Sequence, residues 1–263
     1  MASTIDALST RSVLLSGLLG TEPPRLPVAQ LVRMGTLYGS TEGAVRTALS
    51  RLVARGEVKA DGGWYELSPR HRQRQERQER SRRLRRMEWD GTWRALIVRE
   101  GRRDRSHREA LRRTLLAHRY AELREGTWMR PDNLDVAAPA EALEWCDLLV
   151  GARPEDPADL ARRLWDHDGW TDDAEQLVDE LTPLTARLLT GDEQALPSGF
   201  RLSAAVIRHL LDDPALPDEL VGRAGVGDAL RSTFDEFDGA FRAVLEEWVR
   251  ADVDQHAGAT SDS

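Results

Sequence analysis

Cysteine and lysine are almost absent from this chain of 263 residues: Cys146 is the only cysteine and Lys59 the only lysine. One cysteine excludes an intramolecular disulfide and suits a reducing cytoplasm, where the chain is expected to reside. Long apolar runs are missing too. The stretch from Val13 to Leu19 is broken by Ser16 and Gly17. It is far short of a membrane span, and no small-residue cleavage pattern follows it, so neither a membrane partner nor a signal peptide is expected. The Walker, Rossmann, G-x-S-x-G and H-E-x-x-H patterns are absent as well. The six histidines are scattered, and none stands at metal-ligand spacing from Cys146. The reading is therefore of a protein that is not an enzyme, with no cofactor and no metal. Asp166-His167-Asp168, with Asp172 and Asp173, offers oxygens to a divalent ion. It matches no metal loop and reads better as helix capping.

What is present is charge, unevenly divided. The net charge of -8 splits into +12 over residues 1–130 and -20 over residues 131–263. A basic half joined to an acidic half suggests that the first half meets a polyanion.

Helix and strand signals divide the chain into an N-terminal unit (10–69), a basic linker helix (70–88), an α+β segment (89–153), an acidic helical segment (154–253) and a disordered tail (254–263). In the first, a helix capped by Ser9 or Thr10 runs to Gly20 and stops at Thr21-Glu22-Pro23-Pro24. Pro27 suits the first turn of a second helix, Val28 to Tyr38, and Gly39 ends it. Ser40 or Thr41 caps a third, closed by Gly56. Strands Glu57–Ala60 and Trp64–Leu67 then flank the hairpin signal Asp61-Gly62-Gly63. Three helices and a hairpin in about 60 residues make a winged helix-turn-helix. In the α+β segment, strands at Thr92–Val98, Glu122–Met129 and Leu143–Val150 (the last with a helical alternative) accompany a helix at Ser106–His118. Helical seams fill the acidic segment and end in a long helix, Asp228 to Val249, with an aromatic stripe at helical spacing. The fold class is mainly α with α+β.

The third helix carries the functional signal. Val45, Ala48, Leu49, Leu52 and Val53 fall at i, i+3, i+4, i+7 and i+8, an apolar face expected to be buried. The opposite face holds Arg46, Thr47, Ser50 and Arg51, with Thr41, Glu42 and Gly43 at the start, Arg55 at the end and Lys59 in the wing. Arginine bonds guanine bidentately and hydroxyls reach bases or phosphates, so these nine residues are the candidate DNA contacts. An ordinary solvated face has the same composition; the helix order with an added wing is what favours DNA.

The run from Glu42 to Gly56 resembles the recognition helix of the PaaX family of bacterial repressors. Tyr65-Glu66-Leu67-Ser68 is similar to the end of that family's wing. Trp93-Arg94 and Thr127 to Leu134 resemble its central ferredoxin-like, Cas2-like domain. Leu164-Trp165-Asp166 and Asp213 to Pro217 are similar to its helical C-terminal domain. The resemblance implies a homodimer on an inverted-repeat operator in double-stranded DNA, repressing a catabolic operon and released by an acyl-CoA-type metabolite. With the charge split, it assigns such an effector to Arg99, Arg102, Arg103, Arg105 and Arg108 for its phosphates, and to Trp165 and Trp170 for its acyl group. Two other readings stand beside this one. One is a DNA-bound scaffold without effector, because Glu219 to Gly227 departs from the family pattern. The other is a metal-dependent nuclease on the Cas2-like domain, with Asp90 before its first strand.

Overall fold

The computed structural model describes residues 9–19, 21, 23–69, 82–99 and 104–259. Most of the basic linker and the effector candidates Arg102 and Arg103 lie outside the described residues. The chain divides into two units: Met1–Arg80 with Asp179–Val206 and Thr233–Ser263, and Ser81–Val178 with Ile207–Ser232. Both therefore take up parts of the helical C-terminal segment. Among the described residues no helix is long and apolar enough to cross a membrane.

In the first unit, helices α1 (Thr10–Leu19), α2 (Val28–Leu37) and α3 (Glu42–Ala54) precede strands β2 (Val58–Asp61) and β3 (Trp64–Leu67). Leu14, Leu18, Leu31, Val45, Leu49, Leu52, Val58 and Leu67 form one buried cluster from all five elements. Fully burying each such aliphatic side chain is worth about 1.5–3 kcal/mol. A strand not expected from the sequence, β1 (Arg25–Pro27), pairs antiparallel with β3 and makes the sheet order β1-β3-β2. Pro27 is thus extended, with φ -71° and ψ 152°, and stands just before α2 rather than inside its first turn.

The C-terminal helices of this unit are parts of α7 (His167–Leu189), α8 (Leu196–Leu211) and α9 (Val226–Ala259). The last runs past the end expected at 249 and into the segment expected to be a tail. Its stripe Phe234, Phe237 and Phe241 stacks ring on ring at 5.9 and 5.8 Å. α2 is anchored to these helices. The Tyr38 ring lies 4.7 Å from that of Phe200, and its hydroxyl donates to the Leu196 carbonyl at 3.3 Å. Burial pushes that phenol above its ordinary pKa. The Arg33 guanidinium sits 4.0 Å over the Trp248 ring.

The second unit is built on strands β4 (Trp93–Val98), β5 (Ala121–Arg124), β6 (Thr127–Pro131) and β7 (Cys146–Ala152), with α4 (Arg105–Ala117) and a single turn, α5 (Ala140–Leu143). Strand order β5-β6-β4-β7, antiparallel throughout, with helices after β4 and β6, is the ferredoxin-like arrangement. The single strand expected over Glu122–Met129 is in fact a hairpin, because Glu125 and Gly126 (φ +76°) turn the chain between β5 and β6. The strand expected over Leu143–Val150 begins later, at Cys146, because Leu143 closes α5.

One face of this sheet packs Leu96, Trp128 and Cys146 against Leu115 of α4. The other packs Trp93, Ala95 and Met129 against Leu160 and Ala161 of α6 (Pro157–Leu164), with Leu216 and Leu220. The linker helix does not continue to residue 88. Arg86 instead forms a β-bridge with Leu134, and its guanidinium donates to the Leu216 carbonyl at 3.1 Å.

Candidate nucleic-acid interface

Three features of the local sequence aim α3 outward. Thr41 is its N-cap, and the hydroxyl accepts from the Ala44 amide at 3.2 Å. Val45, Leu49 and Leu52 are buried beneath it. Gly35 of α2 lets α3 approach closely, since a Cβ there would overlap Cγ2 of Val45. Gly35→Ala should therefore cost about 1–3 kcal/mol, because the β-branched Val45 cannot rotate clear. Chemical denaturation of the purified variant measures this, and an unchanged midpoint would show that the two helices adjust.

The apolar face is narrower than expected. Val53 is 38% exposed, which corrects its assignment to the buried set. It lies about 80° around the helix from Val45, at 100° per residue, on the edge of the stripe.

On the outer side, Arg46, Thr47, Ser50, Arg51 and Arg55 are all exposed, as are Thr41, Glu42, Gly43 and, in the wing, Lys59. Arg46 donates from Nε to Glu42 Oε1 at 2.8 Å, an i,i+4 pair that holds the guanidinium along the helix. The Ser50 hydroxyl donates to the Arg46 carbonyl at 3.0 Å. All nine DNA-contact candidates thus lie on α3, its cap residues and the wing strand that follows.

A groove of about 530 Å³ runs between α3 and the start of α1, with Thr10, Arg11, Thr47, Arg51 and Arg55 among its walls. Glu57 draws Arg11 and Arg55 together from below. The wing turns at Gly62 and Gly63, with φ +52° and +84°, the two left-handed positions that a tight hairpin requires. Trp64 stands exposed beside this turn, and the Arg25 guanidinium lies 5.0 Å from its ring. Arg11, Arg25 and Trp64 were not singled out from the sequence. The signal for Arg25 was its bracket of prolines, Pro24 and Pro27, which hold the segment extended.

The effector candidates do not converge in the same way. Arg99 donates to the Leu143 carbonyl at 2.6 Å and faces Asp147 at 3.5 Å. Arg105 pairs with Glu109 at 2.9 Å, and both it and Arg108 are exposed. Trp165 packs 6.2 Å from Trp93 in the sheet's core. Trp170 is stacked between His167 (6.0 Å) and His209 (4.6 Å). Its indole donates to the His209 carbonyl at 3.2 Å, and His209 Nε2 returns a bond to the Trp170 carbonyl at 3.0 Å. Burial lowers the pKa of both histidines. Both tryptophans therefore pack within the second unit.

The acidic cluster caps and pairs. Asp166 accepts from the Gly169 amide at 3.1 Å, and Arg223 reaches Asp172 at 2.6 Å and Glu175 at 3.0 Å. Asp90, the nuclease candidate, accepts from the Thr92 hydroxyl and amide. These bonds, that from the hydroxyl foremost, lower its pKa. Among the described residues no group of three or more His, Cys, Asp or Glu is arranged to hold a metal ion.

Three family models match this chain. One described as PaaX-like protein covers residues 7–71, one described as the PaaX protein central Cas2-like domain covers 86–151, and one described as the PaaX-like protein C-terminal domain covers 165–251. No curated protein matches. A solved structure, the uncharacterized protein Rv0674 from Mycobacterium tuberculosis, is 37% identical with a TM-score of 0.71, over 91% of this chain and 98% of that one. Matched by family models in all three parts, the chain belongs to the PaaX family, whose members are transcriptional regulators.

Proposed function

We propose that this regulator binds double-stranded DNA sequence-specifically, with α3 in the major groove and the wing beside it. The observation that carries this reading is the two-sided nature of α3. One face is sealed by Val45, Leu49 and Leu52, and the other exposes Arg46, Thr47, Ser50 and Arg51 to solvent, with Glu42 at its start. The groove beside α3, walled by Arg11, Arg51 and Arg55, supports a phosphate track along the same face. Two copies on an inverted repeat would present two such helices about one helical turn apart, or a multiple of it. Selection of random duplexes by the purified chain, followed by sequencing, tests this. An inverted repeat should emerge, and its affinity should fall steeply with salt, because the counterions that binding releases from the phosphates gain less in a saltier solution. Recovery of unselected sequence would overturn the reading.

Repression of a catabolic operon, relieved by an acyl-CoA-type metabolite, is the finer proposal. Exposed Arg105 and Arg108 support the phosphate end of that ligand, whereas the packed Trp165 and Trp170 speak against the acyl end. That packing favours a second reading, a DNA-bound scaffold without effector. A gel shift of the selected operator against a panel of aryl and aliphatic acyl-CoAs separates the two. Release by one thioester supports the first, because only a ligand that prefers the non-binding conformation can dissociate the complex.

A further inference from the structure

We propose that Arg25 is a second DNA-reading residue, carried by β1 to the wing, where it enters the minor groove that flanks each half-site. The inference rests on the DNA-binding reading above and adds to it a contact outside α3, its cap and β2. Register divides the three-stranded sheet into two faces, because residues paired across antiparallel strands point the same way. Leu26, Val58, Tyr65 and Leu67 share one face and pack on the core. Arg25, Lys59, Asp61, Trp64 and Glu66 share the other. The backbone of β1 is fixed on either side of Arg25: the Leu67 amide donates to the Pro24 carbonyl at 3.1 Å, and the Val28 amide to the Gly63 carbonyl at 2.9 Å. From this anchor the Arg25 guanidinium reaches along the sheet to the turn. It lies 5.0 Å from the ring of Trp64, which is 43% exposed, and 3.5 Å from Asp61.

Strand length selects the groove. β2 has four residues, so at 3.3 Å per residue the turn stands about 13 Å beyond the end of α3. The major groove is about 12 Å wide. With α3 in that groove, the turn therefore meets the neighbouring one, which is the minor groove. Chemistry selects the sequence. A guanidinium stacked on an indole keeps its charge and its donors, and part of its side-chain freedom is lost before DNA arrives. Its pair with Asp61 is exposed on both sides, and such a pair is weak enough to give way to DNA. The minor groove shows acceptors at A·T pairs, whereas G·C adds the donor of the guanine 2-amino group, which opposes a guanidinium. A·T-rich steps also narrow the groove and make it more negative, and arginine gives up its water more readily than lysine does.

The test is duplex selection by the full chain, followed by affinity measurements on the selected operator. The wild type should return A·T-rich steps flanking each half-site, beside the core that α3 contacts. Arg25→Ala should return the same core with an unbiased flank, and should lower affinity for the A·T-flanked operator about tenfold. Arg25→Lys keeps the charge and should still lose most of the flank preference. Trp64→Phe should keep that preference and Trp64→Ala should weaken it. Both side chains are exposed, so thermal melting should not move in any of the four. Inosine·cytosine pairs in the flank locate the groove, since inosine lacks the 2-amino group and presents the major-groove edge of guanine; they should bind as A·T pairs do. Inosine flanks that bind as G·C, or Arg25→Lys matching the wild type on every duplex, would overturn the minor-groove contact. A wild-type core with no flank preference would overturn it too and leave the reading of α3 intact. Recovery of no common sequence would remove that reading, and this contact with it.

Discussion

Replacing Arg51 by alanine should lower affinity for the selected operator about tenfold to a hundredfold, the ~1–3 kcal/mol carried by one good base contact. Arg51 is exposed on α3 and walls the groove between α3 and α1. Its neighbours Leu49 and Leu52 stay buried and hold the helix. The fold should therefore survive, and circular dichroism of the variant should match the wild type. Arg46→Ala is expected to act in the same direction. Its pair with Glu42 is an exposed i,i+4 contact, worth only about 0.3–0.5 kcal/mol to the helix, so a large loss of binding would have to come from DNA. Val53→Ala is the control, since Val53 lies at the edge of the apolar face; its affinity should stay near that of the wild type. Lys59→Ala, in the wing, should weaken selected and unselected duplexes alike and flatten the salt dependence, as a phosphate contact does. Unchanged operator affinity in Arg51→Ala would strip that residue of its role.

The largest loss of stability is expected far from α3, at Asp213. This carboxylate is 3% exposed and pairs with Arg231, also buried, while its other oxygen accepts the Ala215 amide at 2.6 Å. Arg231 also donates to the Gly227 carbonyl at 2.9 Å. Asp213→Ala keeps the guanidinium inside the protein and removes the carboxylate that balances it. Breaking a buried pair from one side costs about 3–5 kcal/mol. The same carboxylate fixes a strained turn, because Ala215 has φ +53° and its carbonyl accepts from buried Asn133 at 2.8 Å. Ala215→Gly relieves a left-handed alanine and should stabilise by roughly 1 kcal/mol. Thermal melting read by circular dichroism should therefore move down strongly for the first variant and slightly up for the second. A wild-type melting temperature in Asp213→Ala would show that the pair contributes nothing net.

The sequence by itself determined the elements whose signals are local. The cap at Thr41, the 3.6-residue spacing from Val45 to Leu52 and the glycines at 56, 62 and 63 each act within a few residues. Their physics is already present in a short peptide, and α3 and the wing formed where expected. The charged face of α3 was legible for the same reason: it is the complement of a periodic apolar stripe.

Contacts between distant segments were decided only in the tertiary structure. β1 has three residues, too few for any period, and is a strand only because β3 lies beside it. The run Leu143–Val150 reads as a strand with a helical alternative over Glu144–Val150, and pairing with β4 decides for the strand from Cys146 onward. Trp165 and Trp170 looked like walls for a ligand. What packs against them, Trp93 and His209, lies 72 and 39 positions away in the sequence. The Asp213–Arg231 pair shares this origin. Burial and exposure are set by what else the chain brings alongside, and no local pattern of residues encodes that.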